Sequence, residues 1–213
     1  MALADAAATA SKIASPIWRS KLQASLVSNK NLVYSRYVQL ATVKADGRPA
    51  NRTVVFRGFL GDSDDALTFV TDSRSRKIQE VACNPAAEVA WYFPETREQY
   101  RIAGNLTIVD AAAGDSALQA ARIRAWSALS DAGRQQFGWP QPGLPRAQQD
   151  PTAWSGAAPG PQDPPLDTFC LMVLRPEEVE QVLLLSNERY RYVRQELQES
   201  GSTVSWSEES INP

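Results

Sequence analysis

RTVVFRGFLGDSDDALTFVTDSRSRK, residues 52–77, holds three kinds of element in a row. Arg52 to Leu60 is rich in Val and Phe and reads as a strand. Gly61-Asp62-Ser63-Asp64-Asp65 is a turn, and Leu67 to Thr71 is a second short strand. From Ser73 to Ala82 the period changes. Ile78, Val81 and Ala82 fall on one helical face, with Ser73 or Ser75 as the cap.

Working outward, Tyr34 to Lys44 alternates as a strand, and the Asp46-Gly47 turn folds it back on Arg52 to Leu60 as a hairpin. Asn84-Pro85 closes the helix. Glu88 to Phe93 and Gln99 to Val109 are two more strands joined around Pro94-Glu95-Thr96. Ile17 to Leu26 is an amphipathic helix with Pro16 at its first turn. Ala111 to Phe137 is helical, broken near Ser130 to Gly133. Residues 138–167 hold eight prolines and read as an extended or mobile loop, with an interdomain linker as the alternative. Thr168 to Arg175, Glu178 to Leu185, Tyr190 to Glu196 and Thr203 to Ser207 are further strands. The fold class is therefore mainly β with helical decoration, a barrel or a sandwich. Residues 16–213 are expected to form one domain behind a disordered extension, 1–15.

Composition narrows the chemistry. The 213 residues carry a net charge of −2, so nothing global points to nucleic acid or an anionic membrane. There is no histidine, which excludes Ser-His-Asp and Cys-His catalysis and removes the commonest metal ligand. Cys83 and Cys170 are far apart and read as reduced thiols, so neither a metal site nor a disulfide is expected. No apolar run reaches the ~18 residues of a membrane span, and the N-terminus lacks a secretory pattern. The expectation is a soluble intracellular protein in the cytoplasm, with a plastid as the alternative compartment.

Three features can carry a ligand. Ser73-Arg74-Ser75-Arg76-Lys77 opens a helix with free N–H groups, hydroxyls and three cations, a pattern suited to phosphate. The helix dipole disfavours cations there, so their concentration hints at a bound anion. The bland alternative is a solvated basic turn. Arg52 to Arg57 is an apolar strand with an arginine at each end, suited to a flat aromatic ligand or, blandly, to an edge strand. Arg52 and Arg57 have opposite parity, so a flat strand sends them to opposite faces unless it bulges. Gln99, early in its strand, can donate to and accept from a heterocycle edge, or simply be a surface glutamine.

In order, R-x-V-V-x-R, a strand ending in V-T, S-R-K, N-P and E-Q-x-x-x-x-G resemble the pyridoxamine 5′-phosphate oxidase family. Trp126-Ser-Ala-Leu129-Ser130 and Phe137-Gly-Trp139-Pro-Gln-Pro-Gly143 are similar to its short, divergent branch, which includes plant members. The resemblance implies an FMN-binding split β-barrel, a homodimer with two FMN sites at the interface. By motif position Arg52, Val54, Val55, Phe56, Arg57, Val70 and Thr71 line the flavin. Ser75, Arg76 and Lys77 hold its phosphate, and Gln99 meets the ring system.

The implied reaction is oxidation of pyridoxamine or pyridoxine 5′-phosphate to pyridoxal 5′-phosphate, a step of vitamin B6 metabolism. A hydride passes from C4′ to the flavin, and dioxygen is the acceptor. The cofactor carries the hard chemistry, which suits a chain without histidine. On the substrate side the match loosens. The family's Y-x-x-x-R-x-x-x-S phosphate clamp falls on Trp126, Ser130 and Arg134, and its C-terminal R-x-H on Arg189-Tyr190-Arg191, with Val182 near a family tryptophan. Arg57, Trp126, Arg134, Arg189 and Arg191 are the substrate-side candidates. The alternatives are a flavin reductase-like enzyme on another substrate, or a non-catalytic flavin-binding module.

Overall fold

A computed structural model describes residues 15–62, 64–146, 150–196 and 204–213. In chain order come α1 (Ile17–Ser28), β1 (Tyr37–Val43), β2 (Pro49–Val55), β3 (Gly58–Phe59), β4 (Leu67–Asp72), α2 (Arg76–Cys83), β5 (Ala86–Phe93) and β6 (Glu98–Val109). Then follow α3 (Ser116–Ser127), α4 (Asp131–Gln135), β7 (Phe169–Leu183), β8 (Glu188–Glu196) and β9 (Val204–Ile211). The strands make one antiparallel sheet in the order β2-β1-β5-β6-β7-β4-β3, with β8 on β7 and β9 on β8.

The barrel is split at β7. Phe169 to Leu174 pairs with β4, Glu178 to Leu183 pairs with β8, and β6 runs along both halves. The sequence reading divided this segment into two strands, Thr168 to Arg175 and Glu178 to Leu185, on either side of Pro176. Instead one strand continues through a register shift between Ala103 and Gly104. The irregularity accommodates a residue that has no N–H to give the ladder. Gly104 is obligatory there, since a Cβ would lie 2.0 Å from the Arg175 carbonyl oxygen.

Alternation builds the interior. Val38, Leu40, Val89, Trp91, Phe93, Tyr100 and Ile102 turn inward and are essentially buried. Each such side chain contributes roughly 1.5–3 kcal/mol relative to exposure. Helix α1 closes one end. Trp18 and Leu22 have no exposed surface, and Trp18 meets Trp206 edge-on at 5.5 Å. The run Phe169 to Leu174 is buried throughout because helix α3 covers the face that the barrel does not.

Several boundaries differ from the sequence expectation. β1 starts at Tyr37, since Tyr34 to Arg36 form a turn closed by Tyr37 N–H on the Tyr34 carbonyl at 2.9 Å. β2 ends at Val55, five residues early. Pro16 occupies the N-cap rather than the first turn of α1. The helical stretch from Ala111 resolves into α3, capped by Asp115 on the Ala117 and Leu118 N–H groups, and α4, capped by Ser130. The expected extension falls outside the described residues except for Ser15, and the expected strand start at Thr203 also lies outside them. Among the described residues no helix is long and apolar enough to cross a membrane.

Candidate active site

A pocket of about 560 Å³ opens beside the ends of β2 and β4. Arg52, Thr53, Val54, Val55 and Arg57 form one side, and Val70, Thr71, Asp72 and Lys77 the other. The parity problem of Arg52 and Arg57 is resolved by a change of partner. β2 pairs with β1 up to Val55, and Arg57 N–H then donates to the Thr68 carbonyl at 2.8 Å. Gly58 follows at φ +138°, a backbone that side chains rarely adopt. The chain turns between Val55 and Gly58, so both arginines reach one pocket. Phe56 pays for this arrangement: its ring is 2% exposed and packs on Phe59 and Trp91 inside the barrel. It is absent from the lining of this pocket.

The phosphate end is narrower than the sequence suggested. Ser75 is the N-cap of α2, but its hydroxyl makes no capping bond. Instead Ser75 Oγ and Thr71 Oγ1 accept from Lys77 Nζ at 3.1 and 2.9 Å. Arg74 is spent on Asp72, with contacts of 2.6 and 2.9 Å that neutralise the one carboxylate in the lining. Arg76 is exposed and outside the lining. What converges at the N-terminal end of α2 is one cation and two hydroxyls; Lys77 and Thr71 line the pocket, while Ser75 is held to Lys77 outside the lining. Desolvation, and then the nearby charge of Arg52, hold the Lys77 pKa below its ordinary 10.5.

An anion beside Lys77 relieves that cost, and it needs the lysine charged. Affinity for FMN is therefore expected to fall as pH rises through the depressed Lys77 pKa, below 10.5. Fluorescence titration across alkaline pH measures this. An affinity flat to pH 10.5 would count against Lys77 as the phosphate ligand.

Arg52 is held from behind. Its guanidinium donates to Glu80 Oε2 and Thr42 Oγ1, both at 2.6 Å, and to the Leu40 carbonyl at 3.2 Å. Burial pushes the Glu80 carboxyl up, but hydrogen bonds from Thr42 and Arg52 outweigh it and its pKa is lowered. Glu80 was missed in the sequence, where nothing links positions 52 and 80. Only the packing of α2 beside β1 brings them together.

The Pro-rich segment supplies the outer wall. Trp139 to Leu144, Arg146 and Trp154 line the pocket, and the Arg146 guanidinium lies 3.9 Å from the Trp154 ring centroid. The segment is tied down by Arg134 Nε on the Pro159 carbonyl at 2.7 Å and Arg122 Nη2 on the Leu166 carbonyl at 2.9 Å. Its share in the site was unread, since a loop of this length inside a domain is either functional or a linker, and its composition does not say which.

The substrate-side candidates divide. Trp126 is fully buried against Phe137 and Phe169, at 5.9 and 5.1 Å between ring centroids. Arg134 is 2% exposed, and its guanidinium is occupied by the carbonyls of Leu129 and Pro159 and by Asp131. Neither lines the pocket, although the Trp126 indole N–H is buried without a partner among the described residues. Gln99, Arg189 and Arg191 also lie outside its lining. They do come together elsewhere. Tyr92, Gln99, Val182 and Arg189 are in register across β5, β6, β7 and β8, and Ala90, Arg101, Glu180 and Arg191 form the next such row on the same face. Arg189 donates to Glu180 at 2.8 Å and Arg191 to Glu209 at 2.7 Å.

Residues 15–110 match the family model described as pyridoxamine 5′-phosphate oxidase, FMN-binding domain. Pyridoxine/pyridoxamine 5′-phosphate oxidase 2 of Arabidopsis thaliana is 36% identical over 196 residues, 92% of this chain and 96% of that protein. The pyridoxine/pyridoxamine 5′-phosphate oxidase of Hyphomonas neptunium is 34% identical over 55% of this chain and 51% of its own length. Among solved structures, a pyridoxamine 5′-phosphate oxidase-related, FMN-binding protein of Nostoc punctiforme superposes with a TM-score of 0.82 at 43% identity, covering all of both chains. PhzG of Burkholderia lata, at 21% identity and a TM-score of 0.69 over 93% of each chain, shares the fold.

Proposed function

Because this chain belongs to the pyridoxamine 5′-phosphate oxidase FMN-binding family, we propose that it oxidises pyridoxamine or pyridoxine 5′-phosphate to pyridoxal 5′-phosphate, with dioxygen as acceptor. The observation that carries this reading is the desolvated Lys77. Among the described residues it has only hydroxyl partners, and it sits at the N-terminal end of α2, inside a pocket walled by strand backbone. Such a pocket suits a phosphate joined to a flat ring system. When bound, FMN accepts two electrons from the substrate and hands them on.

The protein's part is to bind and orient. Lys77, Ser75 and Thr71 hold the phosphate, with Arg76 exposed on the first turn of α2. Val54, Val55 and Val70 flank the ring, while Arg52 is fixed in place by Glu80. Gln99 and Arg189 lie in one transverse row away from their own chain's pocket. In a homodimer they reach the partner's flavin, and the exposed Tyr37 and Tyr92 give that face apolar surface to cover.

One observation favours a second reading. The guanidinium of Arg134 is already occupied, so the substrate clamp of the main branch is missing, as an FMN oxidoreductase with another substrate would require. Anaerobic mixing separates the two. Bleaching of the flavin by pyridoxamine 5′-phosphate is the expected result. Bleaching by a nicotinamide donor alone would replace it with a reductase, and bleaching by neither would leave a binding module.

A further inference from the structure

A second pocket, of about 350 Å³, adjoins the first and shares Val55, Arg57 and Leu129 with it. Its floor is apolar, from Phe56, Phe59 and Leu171. Its rim carries three arginines from three different elements: Arg36 ahead of β1, Arg57 after β2, and Arg124 in the last turn of α3. Among the described residues no acidic side chain lines it. Elsewhere Arg52, Arg74, Arg101 and Arg189 each hold a carboxylate. Among the described residues none of Arg36, Arg57 and Arg124 makes an ion pair or a side-chain hydrogen bond. Arg36 has only the Phe56 ring, at 6.0 Å.

Three like charges around one concavity repel, and the folded protein bears that cost. It shows at Arg57, whose pKa is lowered by desolvation and then by Arg36, even though part of the side chain reaches solvent. A dianion set between the three relieves the repulsion and gains charge-assisted hydrogen bonds. The apolar floor adds room for a small ring or alkyl group. Arg57, common to both pockets, places such an anion next to the flavin wall.

We propose that Arg36, Arg57 and Arg124 form the subsite for the phosphate monoester of the reducing substrate, in place of the occupied Arg134. This rests on the reading above that the substrate is phosphorylated. It assigns specificity to Arg36 and Arg124, which lie outside the FMN pocket.

The test titrates the FMN-loaded protein with pyridoxal 5′-phosphate, with pyridoxal, and with phenyl phosphate. The variant is Arg36→Gln/Arg124→Gln. Both side chains are exposed, so the fold is expected to hold, and retained FMN affinity reports that it does. The expected result is binding of pyridoxal 5′-phosphate weakened at least tenfold, about 1.4 kcal/mol. Pyridoxal binding should be unchanged, and Arg36→Lys/Arg124→Lys should recover part of the loss. Equal affinity in the Gln variant and wild type overturns the subsite and leaves the proposed function standing. If phenyl phosphate binds and is lost in the variant while pyridoxal 5′-phosphate never binds, the subsite stands and the vitamin B6 reading falls. If neither phosphate ester binds the wild type, the subsite is overturned.

Discussion

Lys77→Ala is expected to weaken FMN binding by roughly 10- to 100-fold, the worth of one hydrogen bond to a charged group, about 1.5–3 kcal/mol. Arg76→Ala is expected to cost less, because Arg76 is exposed and outside the pocket lining. The apoprotein should show the opposite sign. Lys77 is desolvated beside Arg52, and among the described residues it makes no ion pair; the through-space pull of Asp72 and Glu80 does not offset that burial, so removing its charge should leave thermal stability unchanged or raised. Flavin fluorescence titration and a melt of the apoprotein measure the two quantities. Undiminished FMN affinity in Lys77→Ala would sink the phosphate assignment. A destabilised apoprotein with unchanged affinity would recast Lys77 as a purely structural residue.

Trp126→Ala is expected to cost about 3–5 kcal/mol of stability, the range for emptying a buried aromatic site. Trp126, Leu129, Phe137 and Phe169 form a separate core beneath the Pro-rich wall. That core joins α3 to the first residue of β7, and Arg122 reinforces it by donating to the Phe169 carbonyl at 2.9 Å. Losing the indole should loosen the wall and so weaken FMN indirectly. Trp126→Phe should recover most of the stability. If Trp126 instead contacted substrate, its removal would raise KM with the melting temperature unmoved. Chemical denaturation together with steady-state kinetics on the two variants distinguishes these outcomes.

The contrast between Lys77 and Trp126 shows what the sequence makes legible. Thr71, Ser75 and Lys77 are within seven residues of one another, so a strand end and a helix start place them together by local geometry. Ser75 and Lys77 were expected at a phosphate from spacing and residue type, and Thr71 along the flavin; their hydroxyl–ammonium cluster follows from that local geometry. Arg52 was readable as a ligand-facing arginine, but its support by Glu80 was not, because α2 returns to β1 only in three dimensions. Phe56 was expected among the flavin contacts, but its ring turns into the barrel and leaves the pocket lining. The strand changes partner after Val55, and that change is decided by the Arg57 bond to Thr68, far along the chain. Trp126 and Arg134, expected on the substrate side, are buried outside the pocket lining for another reason. A helix has two faces, and which one turns inward depends on Phe169 and Pro159, whose positions the helical period does not encode. Gln99 was expected at the flavin ring and Arg189 and Arg191 at the substrate; the strand register instead puts all three on one sheet face, outside the pocket lining of their own chain.

The Pro-rich wall has a consequence that no contact distance records. Eight prolines lie within residues 138–167, and each narrows the conformations open to the denatured chain. Less freedom is surrendered when the wall is laid down, by roughly 0.4–1 kcal/mol for each proline whose native geometry is unstrained. Replacing several of them by alanine would delete almost no interaction. It would nonetheless raise the population of molecules whose pocket is open on one side. Tightness of cofactor retention would thus be set partly by the disorder the chain is denied before it folds.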